Sequence, residues 1–141
     1  MIREITSDED VRRSFHVMRQ LRPHLEEDEY VRRVAQQRAG GYRLAIVEED
    51  GVVRAVAGFR IMEILVQGRH MYVDDLVTDE TERSKGHGRA LFDWLFDVAR
   101  RDGCAMFELD SGVQRFRAHA FYFDKGMHIA GYHFRMKIDQ S

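Results

Sequence analysis

Seven consecutive residues, Arg83-Ser84-Lys85-Gly86-His87-Gly88-Arg89, carry what is needed to hold a phosphate group. Glycines let backbone N–H groups approach an anion closely, and a helix starting here adds the partial positive charge of its N-terminus. Arg83, Lys85 and Arg89 add formal charge. Shortly upstream stand two adjacent carboxylates, Asp74 and Asp75, which can accept a proton or hold an ammonium group.

These residues need elements to hold them. Met71, Val73, Leu76 and Val77 predict a strand from Met71 to Thr78 that carries both aspartates. A helix over about Gly86 to Arg101 follows, with Ala90, Leu91, Trp94, Leu95, Val98 and Ala99 on one side. Upstream, Ile2 to Ile5 reads as a strand. Ser7 or Asp8 caps a helix with Val11, Phe15, Met18 and Leu21 inward, ended by Pro23. A second helix spans about Glu26 to Ala39. From Tyr42 the apolar period becomes two, giving strands over Tyr42 to Val47 and Val52 to Ile64 joined at Glu49-Asp50-Gly51. Beyond the central helix come a strand over Cys104 to Leu109, a helix over Arg115 to Asp124 and a closing strand over Met127 to Ile138. The order is β-α-α-β-β-β-α-β-α-β, an α+β arrangement in one domain, 1–141.

Gly86-x-Gly88-x-x-Leu91 also approaches the dinucleotide fingerprint, with Glu108 or Asp110 about 20 residues on. Leucine replaces its third glycine, and Asp79 to Glu82 separate the strand from the glycines. Too little chain follows Asp110 for the other half of a doubly wound sheet. Without Gly-Lys-Ser/Thr there is no nucleotide P-loop.

Arg83-x-x-Gly86-x-Gly88, after the apolar strand end Leu76-Val77-Thr78, resembles the pyrophosphate loop of the GNAT superfamily of acyl-CoA-dependent N-acyltransferases. Thr78 stands for a usual valine and Glu80 for a frequent proline. A second segment, Arg115-x-x-Ala118-His119-x-Phe121-Tyr122-x-x-x-Gly126-Met127, is similar to the family's Asn-x-x-Ala-x-x-Phe/Leu-Tyr-x-x-x-Gly-Phe. Arg115 replaces the asparagine and Met127 the phenylalanine. The resemblance implies a mixed, mostly antiparallel sheet with helices on both faces, and acetyl-CoA as co-substrate. It implies donor contacts at Leu76, Val77, Thr78, Arg83 to Arg89, Ser111, Arg115 and His119. Tyr122 falls on the family's general-acid tyrosine; its plainer reading is a helix tyrosine packed in the core. Acids at Asp74 and Asp75 act in many such enzymes as base or hold the amine. Adjacent strand residues face opposite sides, so the two are expected to do different things. One of them could instead face solvent or pair with Arg60 or Arg69, and Glu63 is a weaker candidate.

A net charge of −2 argues against non-specific nucleic-acid binding. No apolar run approaches a membrane span, and the N-terminal stretch lacks the apolar core of a signal peptide, so a cytoplasmic protein is expected. The single Cys104 allows no internal disulfide, and the scattered histidines lack ligand spacing, so no metal is expected. Partners are then acetyl-CoA and an amine acceptor, with a homodimer allowed. The resemblance implies an acceptor site between the N-terminal helices and the sheet, where Glu26 to Glu29 above Asp74 and Asp75 suggest a small cationic amine, unless they only form the acidic first turn of a solvated helix; a protein or peptide amine is the runner-up. A catalytically idle acyl-CoA sensor is the reading from outside enzymology.

Overall fold

The switch from helical to two-residue periodicity at Tyr42 separates a helical N-terminal layer from the sheet it covers. The structure, a computed structural model, describes residues 1–140, which fall into two compact units, Met1–Leu109 and the described residues from Asp110 onward. The first holds β1 (Ile2–Ile5), α1 (Asp8–Arg13), α2 (Phe15–Leu21), α3 (Glu27–Ala39), β2 (Arg43–Glu49), β3 (Val52–Ile64) and β4 (Gly68–Thr78). A 3-10 turn (Glu80–Glu82), α4 (His87–Arg101) and β5 (Met106–Leu109) complete it. The second unit contributes α5 (Phe116–Asp124).

One five-stranded sheet runs β1-β2-β3-β4-β5, antiparallel except for the parallel β4–β5 pair. Alternation along β2 sorts the core. Leu44 and Ile46 pack with α1–α3 residues such as Val17, Met18, Tyr30 and Val34. Ala45 and Val47 pack on the other face with Leu91, Leu95 and Ala99 of α4. Helices therefore cover both faces. The Asp50-Gly51 turn has positive φ at both residues, as a two-residue hairpin requires.

The N-terminal helix expected as one piece is two. Ser14 breaks it: its hydroxyl donates to the Val11 carbonyl at 2.7 Å and meets the Tyr30 hydroxyl at 2.8 Å. That local bond competes with the helical ladder. The closing strand expected over Met127 to Ile138 is absent; residues 127–140 form neither helix nor strand. Strand hydrogen bonds need a neighbouring strand, and the pairings of β1–β5 include none with this segment.

The consequential irregularity is a bulge. Gly58 pairs with Asp75 but Phe59 pairs with Val73, so Asp74 has no partner on β3. Beside it, Tyr42 lies flat over Gly58. A Cβ there would sit 1.9 Å from the Tyr42 hydroxyl oxygen and 2.4 Å from Cζ. Gly58→Ala must push the ring aside, and overpacking of this kind costs about 1–3 kcal/mol. The urea midpoint of Gly58→Ala should fall accordingly; an unchanged midpoint would contradict the close approach.

Candidate functional site

The phosphate-loop residues share one end of β4. Gly86, at φ +85°, is the N-cap of α4 and offers no side chain to the N–H groups of the first turn. No acid occupies that turn, so nothing of opposite charge occupies the helix end within its own sequence. Ser84 and Gly86 both have positive φ, at 72° and 85°, with Lys85 between them. Left-handed residues in such alternation turn successive N–H groups toward one side, as in anion-binding nests. Gly88 lies against the end of β4: a Cβ on it would come 2.9 Å from Thr78 Oγ1. That contact brings the loop together with Leu76, Val77 and Thr78.

Not every expected cation points to a ligand. The Lys85 ammonium donates to Glu82 at 2.7 Å. His87 is buried, its Nε2 3.5 Å from the same carboxylate. Glu49, Glu82 and His87 form the one grouping of metal-ligand type among the described residues. Arg54 and Lys85 already face Glu82, so a divalent cation would add to two positive charges.

The bulge overturns the expectation that Asp74 and Asp75 face opposite sides. Val73 and Leu76 pack on the α4 face, while Val77 packs on the α1–α3 face. Alternation therefore slips by one residue at Asp74–Asp75, and both carboxylates face the N-terminal helices. Asp75 accepts from Arg22 Nε at 2.8 Å and from the buried Tyr42 hydroxyl at 2.7 Å, one donor on each oxygen. Asp74 accepts from Arg60 Nε at 2.9 Å; Arg60 also donates to Gln37 of α3 and stacks over the Tyr42 ring. Half-burial raises the Asp74 carboxyl above the usual carboxylate range, against the pull of Arg60. Burial raises the Tyr42 phenol too, with the Asp75 charge adding to it, so it stays a donor. Arg69, the other expected partner, pairs instead with Asp102.

β4 outlasts its parallel neighbour. Pairing with β5 ends at Val73–Leu109, while β4 runs on to Thr78, paired there with β3. From Asp74 to Thr78 the side toward β5 carries no strand partner.

Ser111, Arg115, His119 and Tyr122 belong to the second unit. His119 Nε2 lies 2.7 Å from the Gly112 carbonyl oxygen. Arg115 is the N-cap of α5 and hydrogen bonds Tyr122. Burial raises the Tyr122 phenol, and Arg115 opposes the shift.

The acidic rim is largely matched. Arg12 donates to Glu27 at 2.9 Å and to Asp28 at 2.7 Å, and Arg33 pairs with Glu29. Arg60 meets Asp74 as one of the two partners expected for the pair, whereas sequence reasoning missed Arg22 and Glu82 as members of these networks. For Glu82 there was a signal, its i,i+3 spacing to Lys85. For Arg22 there was none, because the bulge that turns Asp75 toward it depends on tertiary pairing.

The sequence profile of the Acetyltransferase (GNAT) family matches residues 6–127. The chain belongs to the GNAT family. It is an N-acetyltransferase, and acetyl-CoA is the donor that GNAT enzymes use. A relative from Bacillus subtilis (strain 168), the uncharacterized N-acetyltransferase YhdJ, is 36% identical over 139 residues, covering 97% of this chain and 98% of that one. Glucosamine-6-phosphate N-acetyltransferase from Arabidopsis thaliana has the same fold at a TM-score of 0.79 and 24% identity, covering 99% of this chain and 98% of that one. The aminoglycoside N-acetyltransferase AAC(6')-Iy, solved in complex with CoA, superposes at a TM-score of 0.84 with 15% identity, covering 98% of this chain and 93% of that one. No helix of the described residues is long and apolar enough to cross a membrane.

Gly88→Val places a branched side chain both against Thr78 and where an anion would approach the backbone. Calorimetric titration should show CoA affinity falling at least ~10-fold, about 1.4 kcal/mol. A folded variant with unchanged affinity would remove Gly88 from the donor site.

Proposed function

We propose that the chain works as one GNAT domain that transfers the acetyl group of acetyl-CoA to a primary amine by direct attack in a ternary complex. The observation that carries this reading is the side-chain-uncapped start of α4 beside the unpaired edge of β4. An uncapped helix start supports pyrophosphate binding by the backbone from Ser84 to Arg89, with Arg83 assisting. An unpaired strand edge at Leu76 to Thr78 supports binding of an extended, amide-bearing arm, whose groups can hydrogen bond as a strand does. A backbone N–H near Val77 then serves the developing oxyanion.

At pH 7 only about one part in 2,500 of a lysine-like amine is neutral, a handicap of roughly 4.6 kcal/mol. We assign its deprotonation to Asp74, directly or through water. A carboxyl raised by burial is a stronger base than an ordinary one, and the two Asp74 oxygens share a single donor, Arg60 Nε, whereas each Asp75 oxygen holds a donor of its own. With the ammonium proton passed through Asp74 to water, the neutral amine nitrogen attacks the thioester carbon, the C–S bond breaks, the sulfur leaves as thiolate, and the second N–H proton is taken up by the ionised Asp74. Tyr122 is assigned to the departing thiolate. A phenol of about 10 protonating the thiolate of a thiol of about 8.5 is uphill by roughly 2 kcal/mol, and burial of Tyr122 steepens that climb. Its proposed part is therefore hydrogen-bond donation. Ser111, Arg115 and His119 remain proposed donor contacts through the family pattern alone.

The acceptor is proposed as a primary amine. Its charge preference has lost part of its footing, because Arg22 and Arg60 balance Asp75 and Asp74.

Free-thiol release from acetyl-CoA, scored over polyamines, neutral amines, amino acids and peptides, tests the reading. With the best acceptor, Asp74→Asn and Tyr122→Phe should each lower kcat about 10²-fold where chemistry limits turnover. In wild type, kcat/KM should fall toward acid with a limb above the ordinary aspartate value of ~3.9, because Asp74 must be ionised to act and its carboxyl is raised. Asp74→Asn should abolish that limb. Full kcat in either variant would return that residue to a structural role.

A further inference from the structure

Glu82 ends the 3-10 turn before the phosphate loop, and its side chain is only 8% exposed. A carboxylate is costly to bury unless it is paired, and removing its partners leaves that cost unmet. Its partners come from three separate elements: Lys85 Nζ of the loop at 2.7 Å, Arg54 Nε of β3 at 3.4 Å and His87 Nε2 of α4 at 3.5 Å. The same turn is braced from behind. Asp79 N–H donates to the Arg54 carbonyl at 2.8 Å, and the Asp79 side chain accepts from Thr81 N–H and Oγ1. Gln20 Oε1 accepts from Glu80 N–H.

Between Glu82 and Lys85 the chain passes through Ser84, a non-glycine residue at φ +72°. A left-handed conformation at such a residue persists only where its surroundings hold it, at a cost on the order of 1 kcal/mol or more. The Glu82–Lys85 ion pair closes the chain around Ser84, and the buried His87 Nε2 at the start of the helix faces the same carboxylate at 3.5 Å. We propose that Glu82 is a positioning residue for the donor: it clamps the loop so that the N–H groups of Ser84 to Arg89 are aimed before the pyrophosphate arrives. Lys85 serves this clamp, its charge turned to Glu82 rather than spent as a separate phosphate contact. The proposal rests on the reading of this loop as the pyrophosphate site.

The test compares two donors, acetyl-CoA and S-acetylpantetheine, which lacks the phosphates. Wild type, Glu82→Gln, Lys85→Met and the double variant are assayed with one amine, with urea midpoints as a folding control. Wild type should favour acetyl-CoA strongly, and this arm reads the pyrophosphate site itself. Glu82→Gln should raise KM for acetyl-CoA about 10-fold with kcat kept within about 2-fold, while kcat/KM for S-acetylpantetheine changes less than about 2-fold. Lys85→Met should raise KM for acetyl-CoA similarly, and the double variant should be no worse than the poorer single one. Equal losses with both donors, no loss at all, or losses that multiply in the double variant would each overturn the clamp. If Glu82→Gln does not fold, Lys85→Met decides, since its side chain is 58% exposed: an unchanged KM overturns the proposal. A wild type indifferent to the phosphates would overturn the pyrophosphate reading, and the role of Glu82 with it.

Discussion

The first turn of an α-helix has N–H groups with no intrahelical acceptor, and α4 begins on a residue that cannot supply one from its side chain. That unmet demand organises what surrounds it. Gly86 and Ser84 take left-handed conformations to bring the backbone round into α4, and Gly88 lets the helix approach Thr78 at the end of β4. Leu91, Leu95 and Ala99 then anchor α4 in the core beneath the sheet. The helix axis, and with it the direction of its positive end, is fixed by apolar packing; the loop needs only to be held in register with it. Glu82 is suited to that task because one buried carboxylate reaches strand, loop and helix together.

A second constraint acts on the same strand. Gly58 carries no side chain, so Tyr42 can lie over it and reach Asp75, and the bulge beside it turns Asp74 to the same face. The two carboxylates then differ by environment rather than by side. Asp75 is tied by Tyr42 and Arg22 into the framework between β2, α2 and β4. Asp74 has its carboxylate engaged by Arg60 alone and sits above the usual carboxylate range. One of the pair is held by two separate donors and the other by a single shared one, the kind of difference in environment that sets adjacent acids apart.

Much of this was legible in the residues. Alternation in Leu44–Val47 and the 3.6-residue period of Leu91, Leu95 and Ala99 found the strands, α4 and its inward face, because burial imposes those periods directly. The glycines of the loop marked the start of α4, since only that geometry demands them there. What stayed hidden was set by pairing at a distance. The slip at Asp74 follows from the register between Gly58 and Phe59, which no local pattern reports. Ser14 gave no warning that it would break the first helix, since its hydroxyl needed Tyr30 and the Val11 carbonyl to make the break favourable. Arg22 carried no sign that it would pair with Asp75, whereas Arg60 was an expected partner of the aspartates and meets Asp74. Met127 to Ile138 was expected as a closing strand, yet a strand needs a hydrogen-bonding partner that the residues of the segment do not name.

The most direct measurement is a crystal structure of the chain with CoA. Pyrophosphate oxygens should lie about 2.7–3.2 Å from backbone nitrogens between Ser84 and Arg89, with Lys85 still bound to Glu82. A pyrophosphate held away from that backbone, or by Lys85 released from Glu82, would contradict the account.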